Sequence, residues 1–184
     1  GGAGADVMWG GADNDVMTAG TGNDTLHGGS GNDSVEGGDD NDLIYGDAGD
    51  DTLAGGAGDD LLYGGAGNDY MTTGTGNDTL YGGEGDDTLQ NSSGDDSLVG
   101  GTGNDSITAT EGNDTLEGGT GNDTMHGGAD DDMLYGGEGD DSMTGGDDSD
   151  TFVIEDNFGR DTIEGGEGGV DYDTLDLSGV SDPV

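Results

Sequence analysis

Large apolar residues recur along this chain at every ninth position. Met8, Met17, Leu26, Val35 and Ile44 open a series that runs on to Met143 and Phe152. Written in rows of nine from Gly1, the chain aligns without a gap through Val153, in 17 rows. A representative row is Gly64-Gly65-Ala66-Gly67-Asn68-Asp69-Tyr70-Met71-Thr72. Positions seven to nine read outward, inward, outward, the period of a β-strand. Glycine dominates positions one, two and four, a spacing hostile to helix and suited to a tight curl of backbone. Each row therefore predicts a six-residue turn and a three-residue strand. Two rows, 18 residues, close one coil with strands on opposite sides. Coils stacked about 4.8 Å apart then make a rod of roughly 40 Å. The expected fold is all-β, a parallel β-roll (β-solenoid) with two short-stranded parallel sheets.

The polar half of the pattern is stricter still. The sixth position is aspartate in every row: Asp6, Asp15, Asp24, Asp33, Asp42, Asp51, Asp60, Asp69, Asp78, Asp87, Asp96, Asp105, Asp114, Asp123, Asp132, Asp141 and Asp150. The fifth is Asn or Asp in all rows but the first (Ala5) and the last (Ser149). Composition sharpens the problem this creates. The chain carries 44 acidic residues against a single Lys or Arg, a formal charge of −43, with only 27% apolar residues. Low hydrophobicity with high net charge marks a chain that does not collapse unaided. Stacking would also set Asp24, Asp42 and Asp60 in one column, where carboxylates repel unless a cation lies between them. The metal has to be part of the fold.

Calcium fits best, because it takes 6–8 oxygen ligands in flexible geometry, backbone carbonyls included. Zinc or copper would want His or Cys, and the chain offers only His27 and His126 and no cysteine. Magnesium holds its waters too firmly for a carbonyl cage. The charge also excludes nucleic acid and anionic membrane surfaces as partners. No apolar run approaches the ~20 residues that span a bilayer. The chain opens on Gly1-Gly2, already inside the repeat, and reads as a piece of something longer.

The row pattern G-G-x-G-x-D-x-U-x resembles the calcium-binding nonapeptide repeat of RTX (repeats-in-toxin) proteins. The resemblance implies an ion between turns of neighbouring coils on the same side. Rows separated by 18 residues, Asp6 with Asp24 and Asp15 with Asp33 onward, then define about 15 sites. Its implied ligands are the position-six aspartates and backbone carbonyls at positions two and four. Those are the carbonyls of Gly20, Gly22, Gly29, Gly31, Gly56, Gly58, Gly65, Gly67, Gly74, Gly76, Gly83, Gly85, Gly101, Gly103, Gly119 and Gly121. RTX repeats typically lie toward the C-terminus of large Gram-negative bacterial proteins exported by type I secretion. The implied function is a secreted module that folds on calcium outside the cell and stabilises a larger protein. Implied partners are calcium, the type I secretion apparatus, and an N-terminal catalytic or adhesive domain. Two alternatives are a substrate- or partner-contact module of a secreted enzyme, and a calcium-dependent adhesin or ice-binding segment. The ice reading has Gly20-Thr21-Gly22-Asn23-Asp24 and Gly119-Thr120-Gly121-Asn122-Asp123 in its favour, but most rows lack that threonine.

Departures from the pattern carry their own expectations. Position four is aspartate at Asp13, Asp40, Asp130 and Asp148, and position two is Asp47, Ser92 and Thr110. The rows opening at Asn91 and Ala109 lack both leading glycines, so ion sites beside them should be weak. After Val153 the register slips. Gly159-Arg160-Asp161-Thr162-Ile163-Glu164 and then Gly165-Gly166-Glu167-Gly168 with Tyr172-Asp173-Thr174-Leu175-Asp176 read as two degenerate repeats. Residues 1–153 are thus expected to form the roll, and 154–184 a C-terminal cap or a linker onward. Position nine in alternate rows reads Trp9, His27, Tyr45, Tyr63 and Tyr81, a stripe that either docks a partner or stacks across strands. A uniform array of identical aspartates offers no unique catalytic constellation, so the chain is read as no enzyme in itself.

Overall fold

The computed structural model describes residues 1–155, 158–166 and 172–180. Among them the chain forms two ten-stranded parallel sheets, and successive strands alternate between the two. The first sheet opens with Gly2–Ala3 and Val16–Thr21, the second with Val7–Ala12 and Thr25–Ser30. Every pairing in the repeat region joins residues 18 apart, as in Leu26 with Ile44, Ile44 with Leu62 and Leu62 with Leu80. The position-eight side chains meet between the sheets. Met17 to Phe152 form a single buried core, most of it fully shielded from solvent. The 18-residue coil expected from the sequence is the coil observed.

The strands are longer than expected. Most span six residues, such as Leu61–Ala66, running from position seven through position three of the next row. Only positions four to six are left for the turn. The reason is position one, which faces inward beside the core. A Cβ on Gly64 would lie 2.3 Å from Oδ2 of Asp69 and 2.6 Å from the carbonyl oxygen of Gly82. With a bare Cα there, or the small Ala19 in Val16–Thr21, the strand runs on beneath the aspartate. Three strands of the first sheet stop short, Tyr70–Thr72, Thr88–Gln90 and Ser106–Thr108. Each is followed by a residue with a side chain at position one: Thr73, Asn91 or Ala109. Pairing resumes two residues later as isolated bridges through Thr75, Ser93 and Glu111.

Turn geometry explains the position-four aspartates. Asp13, Asp40, Asp130 and Asp148 hold φ of 72–78°, the left-handed region that Asp tolerates better than most residues. Two of them cap a neighbour: Oδ2 of Asp40 accepts from Gly22 N at 3.0 Å and Oδ2 of Asp130 from Gly112 N at 3.3 Å. Beyond Val153 the sheets continue through Thr162–Glu164, paired with Ser142–Asp147, and Thr174–Gly179, paired with Thr151–Glu155. Of the row expected to open at Gly165-Gly166, Glu167-Gly168 and the insertion after them lie outside the described residues. Leu175 stands in register with Phe152 yet is 54% exposed, as befits the last described strand of its sheet.

Candidate metal centre

The position-six aspartates line the inside of the turns. From Asp24 to Asp150 every one is buried, while Asp6 and Asp15 at the open end are partly so. One oxygen of each is committed to the backbone. Asp24 Oδ1 accepts from Asp6 N at 2.6 Å, Asp60 Oδ1 from Asp42 N at 2.8 Å, and Asp105 Oδ1 from Asp87 N at 2.8 Å. The bond repeats coil after coil, always pointing toward the N-terminus. Asp161 and Asp173 take over the same duty for Asp141 and Asp150, each at 3.1 Å. The two degenerate repeats therefore keep the motif despite the broken register.

The other oxygen is the telling one. Oδ2 of each position-six aspartate from Asp15 to Asp141 is buried with no hydrogen-bond donor. A buried carboxylate oxygen without a partner costs several kcal/mol in principle, and here the cost recurs in the rows from Asp15 to Asp141. Burial pushes the carboxyls from Asp42 to Asp141 up. Asp114 rises to about 8, Asp51, Asp60, Asp87 and Asp132 to about 7, and Asp96 and Asp123 to about 6. The capping N–H opposes the rise, and the carboxylates one coil away add to it. Such a column calls for positive charge, from protons or from a cation.

Carbonyl oxygens supply the remaining ligands that a hard cation would need. Oδ2 of Asp105 and the carbonyl of Gly118 both come within 2.7 Å of the point where a Cβ on Gly100 would sit, and the same pair recurs at Gly28, Gly64, Gly82 and Gly118. Position-two and position-four carbonyls also face the next coil. The carbonyl of Gly2 lies 2.3 Å from the Cβ place of Gly20, and that of Gly58 lies 2.1 Å from the Cβ place of Gly76. Most of the named glycines hold positive φ, Gly20, Gly22, Gly65 and Gly67 among them; Gly74 does not. Some position-two carbonyls already serve the ladder, since Gly56 O accepts from Thr75 N at 3.3 Å and Gly74 O from Ser93 N at 3.1 Å. No group of three or more His, Cys, Asp or Glu side chains gathers at one point among the described residues. A cation here depends on backbone oxygens for most of its shell, which suits calcium.

Two features escaped the reading of the sequence. The position-one carbonyl, which crowds the same Cβ place as the orphaned carboxylate oxygen, was not among the expected ligands. Position five also has a role. Its side chains form a second ladder outside the turns, in which Asn14 Oδ1 accepts from Asn32 N, Asn32 Oδ1 from Asp50 N, and Asp50 Oδ1 from Asn68 N, at 2.9–3.2 Å. This ladder points toward the C-terminus, opposite to the inner one. The recurrence of Asn or Asp at position five was visible; its direction was not.

The aromatic stripe proves to be a stack. Trp9, His27, Tyr45, Tyr63 and Tyr81 lie face to face with centroids 3.9–5.0 Å apart and planes within 8°. The rings spend their faces on one another, so the stripe stabilises the second sheet. Arg160 reaches Asp140 at 3.4 Å with its side chain 90% exposed, a surface pair of little weight.

Parallel sheets wound at 18 residues per coil, with an aspartate-lined oxygen corner at every turn, define a β-roll of the metal-binding class. The profile of the RTX calcium-binding nonapeptide repeat matches the chain in overlapping segments from residue 1 to residue 169, and the chain belongs to that family. Compared with curated proteins, the sequence matches none.

Proposed function

We propose that this chain is a calcium-responsive folding module of a larger secreted protein, unfolded where calcium is scarce and driven into the roll where it is plentiful. The observation that carries the reading is the unbroken run of donorless, buried carboxylate oxygens from Asp15 to Asp141. A fold that buries them needs a ligand to neutralise them, and a ligand that binds only the folded state is itself a source of folding free energy. The residues present fit calcium. Position-six carboxylates from Asp6 to Asp150 would hold it, with carbonyls at positions two and four and those at position one beside them. About 15 ions follow if every pair of stacked turns takes one. Calcium supplies the charge; the chain supplies a spaced set of oxygens and the glycines that let coils approach.

Export fits the same physics, because a polyanionic chain without its ion stays extended and so suits passage through a type I secretion apparatus. A catalytic or adhesive domain elsewhere in the parent protein would then use the roll as its folding and stabilising partner. Residues 154–184 fit a closing role at the end of the core, where Phe158 and Ile163 pack against it. Circular dichroism of the chain during calcium titration tests the reading. Coil in excess chelator and a cooperative change to β on adding calcium are expected; a β spectrum that persists in chelator at neutral pH would sink it.

A further inference from the structure

One corner of the roll is built differently from the rest. In the regular rows the position-one carbonyl turns back toward the preceding coil, where it joins that coil's Oδ2, and position two holds a positive φ, 118° at Gly65 and 119° at Gly101. At 73–74, 91–92 and 109–110 of the first sheet the second residue, Gly74, Ser92 or Thr110, lacks the positive φ. Gly55 shows the consequence. Its neighbour one coil on is Thr73, and the three atoms nearest its Cβ place, at 2.4–3.0 Å, all belong to Asp60, with no carbonyl among them. The turned carbonyls meet hydroxyls of the following coil instead. Asn91 O accepts from Thr110 Oγ1 at 3.0 Å, Ser92 O accepts from the same hydroxyl, and Thr73 O accepts from Ser92 Oγ at a long 3.5 Å. A side chain at position one is not sufficient cause, because Ala19 is followed by a Gly20 with φ of 126°. Three such residues stacked in one column make the change.

Side-chain donors occupy the same corner. Thr73 is 8% exposed and Asp78, in the same repeat, 1%. Asn91 is 5% exposed, and both its Nδ2 and its Oδ1 are buried without a partner. Oδ2 of Asp96, in the same repeat, is buried and donorless too. An amide offers two N–H donors, so Asn91 places in this corner, in the same repeat as Asp96, a donor group that the glycine rows lack. Hydrogen-bond donors stand here where the rest of the roll has carbonyl acceptors.

We propose that the turns 73–78, 91–96 and 109–114 form a calcium-free break in the ion column of the first sheet, closed by the hydroxyl hydrogen bonds of Ser92 and Thr110 and filled by the buried side chains of Thr73 and Asn91. This rests on the calcium reading above and deepens it, since it says which turns do without the ion. The carbonyls of Thr73 and Asn91, which would complete the cradles of Asp60 and Asp78, are bonded to hydroxyls of the following coil instead. The roll thus carries a segment in its middle whose turns do not depend on calcium, flanked by segments that do.

Two measurements test this. Crystals of the chain grown in calcium should give anomalous peaks between stacked turns along both sides, with none between 55–60 and 73–78, between 73–78 and 91–96, or between 91–96 and 109–114. A peak in any of these places overturns the proposal. The fourfold variant Asn91→Gly, Ser92→Gly, Ala109→Gly, Thr110→Gly restores the regular row, and equilibrium dialysis should show it binding about two more ions per chain than the unaltered protein. An unchanged or smaller number in a folded variant refutes the break. Should the unaltered chain bind no calcium in either experiment, the underlying reading of the roll falls, and this inference with it.

Discussion

Two ladders of Asn and Asp run side by side through the roll, one residue apart in sequence and opposite in behaviour. The inner ladder at position six is buried, uniformly charged, and leaves Oδ2 without a donor from Asp15 to Asp141. The outer ladder at position five is exposed, mixes amides with carboxylates, and its bonds close among its own members. Asp86 illustrates the contrast with Asp87. Asp86 Oδ1 accepts from the backbone N and from Nδ2 of Asn104 at 2.7 and 3.0 Å, and these bonds hold its carboxyl below the ordinary value. Asp87, buried next door, is pushed up to about 7. Burial decides whether a repeated carboxylate is a stabilising cap or a charge awaiting a counterion.

The largest effect should come from breaking the inner ladder. Asp87→Asn keeps an oxygen for Asp69 N, now capped at 2.8 Å, but removes the charge and one ion ligand. In saturating calcium the loss of ligation is expected to cost about 1.5–3 kcal/mol, a tenfold or greater drop in the affinity of the adjoining sites. Calcium titration by calorimetry reads it. An affinity equal to that of the unaltered chain would show that the inner carboxylates are not what holds the ion.

Protons should act as a second, weaker counterion. Without calcium the folded roll holds Asp51, Asp60, Asp87 and Asp132 at about 7, against 3.8 for an ordinary aspartate. The folded state therefore binds protons that the unfolded chain has already released. Its stability from these groups is complete below about pH 4 and drains away as pH rises through about 6–8. In chelator, lowering the pH from about 8 to about 5 should raise β content, whereas in calcium the same change should weaken ion binding, because protons and calcium compete for the same oxygens. Dichroism in chelator that is flat across this range would separate the inner ladder from folding altogether.

Much of this was legible in the sequence because it repeats. The nine-residue period gave the coil, Leu62 and its equivalents gave the core, and the unvarying Asp69 gave the turn. The strand length was not legible, since it depends on Gly64 facing inward under Asp69, and a glycine pattern alone does not say which way a bare Cα points. The rows opening at Asn91 and Ala109 were recognisable as irregular. The change at Gly74 was not, because Gly74 is the expected residue in the expected place. Its backbone follows the column around it, Thr73 beside it and Ser92 one coil on, and such a column exists only once coils are stacked.

The smallest effects should lie in the outer ladder, and they should be asymmetric. Within each column of position five, aspartates never follow one another: Asn68, Asp86, Asn104 on one side, and Asn77, Asp95, Asn113 on the other. An amide that follows a carboxylate donates to it, as Asn104 Nδ2 does to Asp86 and Asn113 Nδ2 to Asp95. Asp86→Asn puts an amide on an amide, which the roll already accommodates where Asn122 donates to Asn104 Oδ1 from both its backbone N and its Nδ2, at 3.0 and 3.2 Å. That substitution should leave the melting midpoint unmoved. Asn104→Asp, equally small, stacks a carboxylate on Asp86 and removes its side-chain donor. The midpoint should fall by about 2 °C at low ionic strength, and most of the loss should vanish near 1 M salt, where exposed charges are screened within about 3 Å. Equal effects from the two substitutions, or a loss indifferent to salt, would mean that spacing of charge is not what the alternation of Asn and Asp provides.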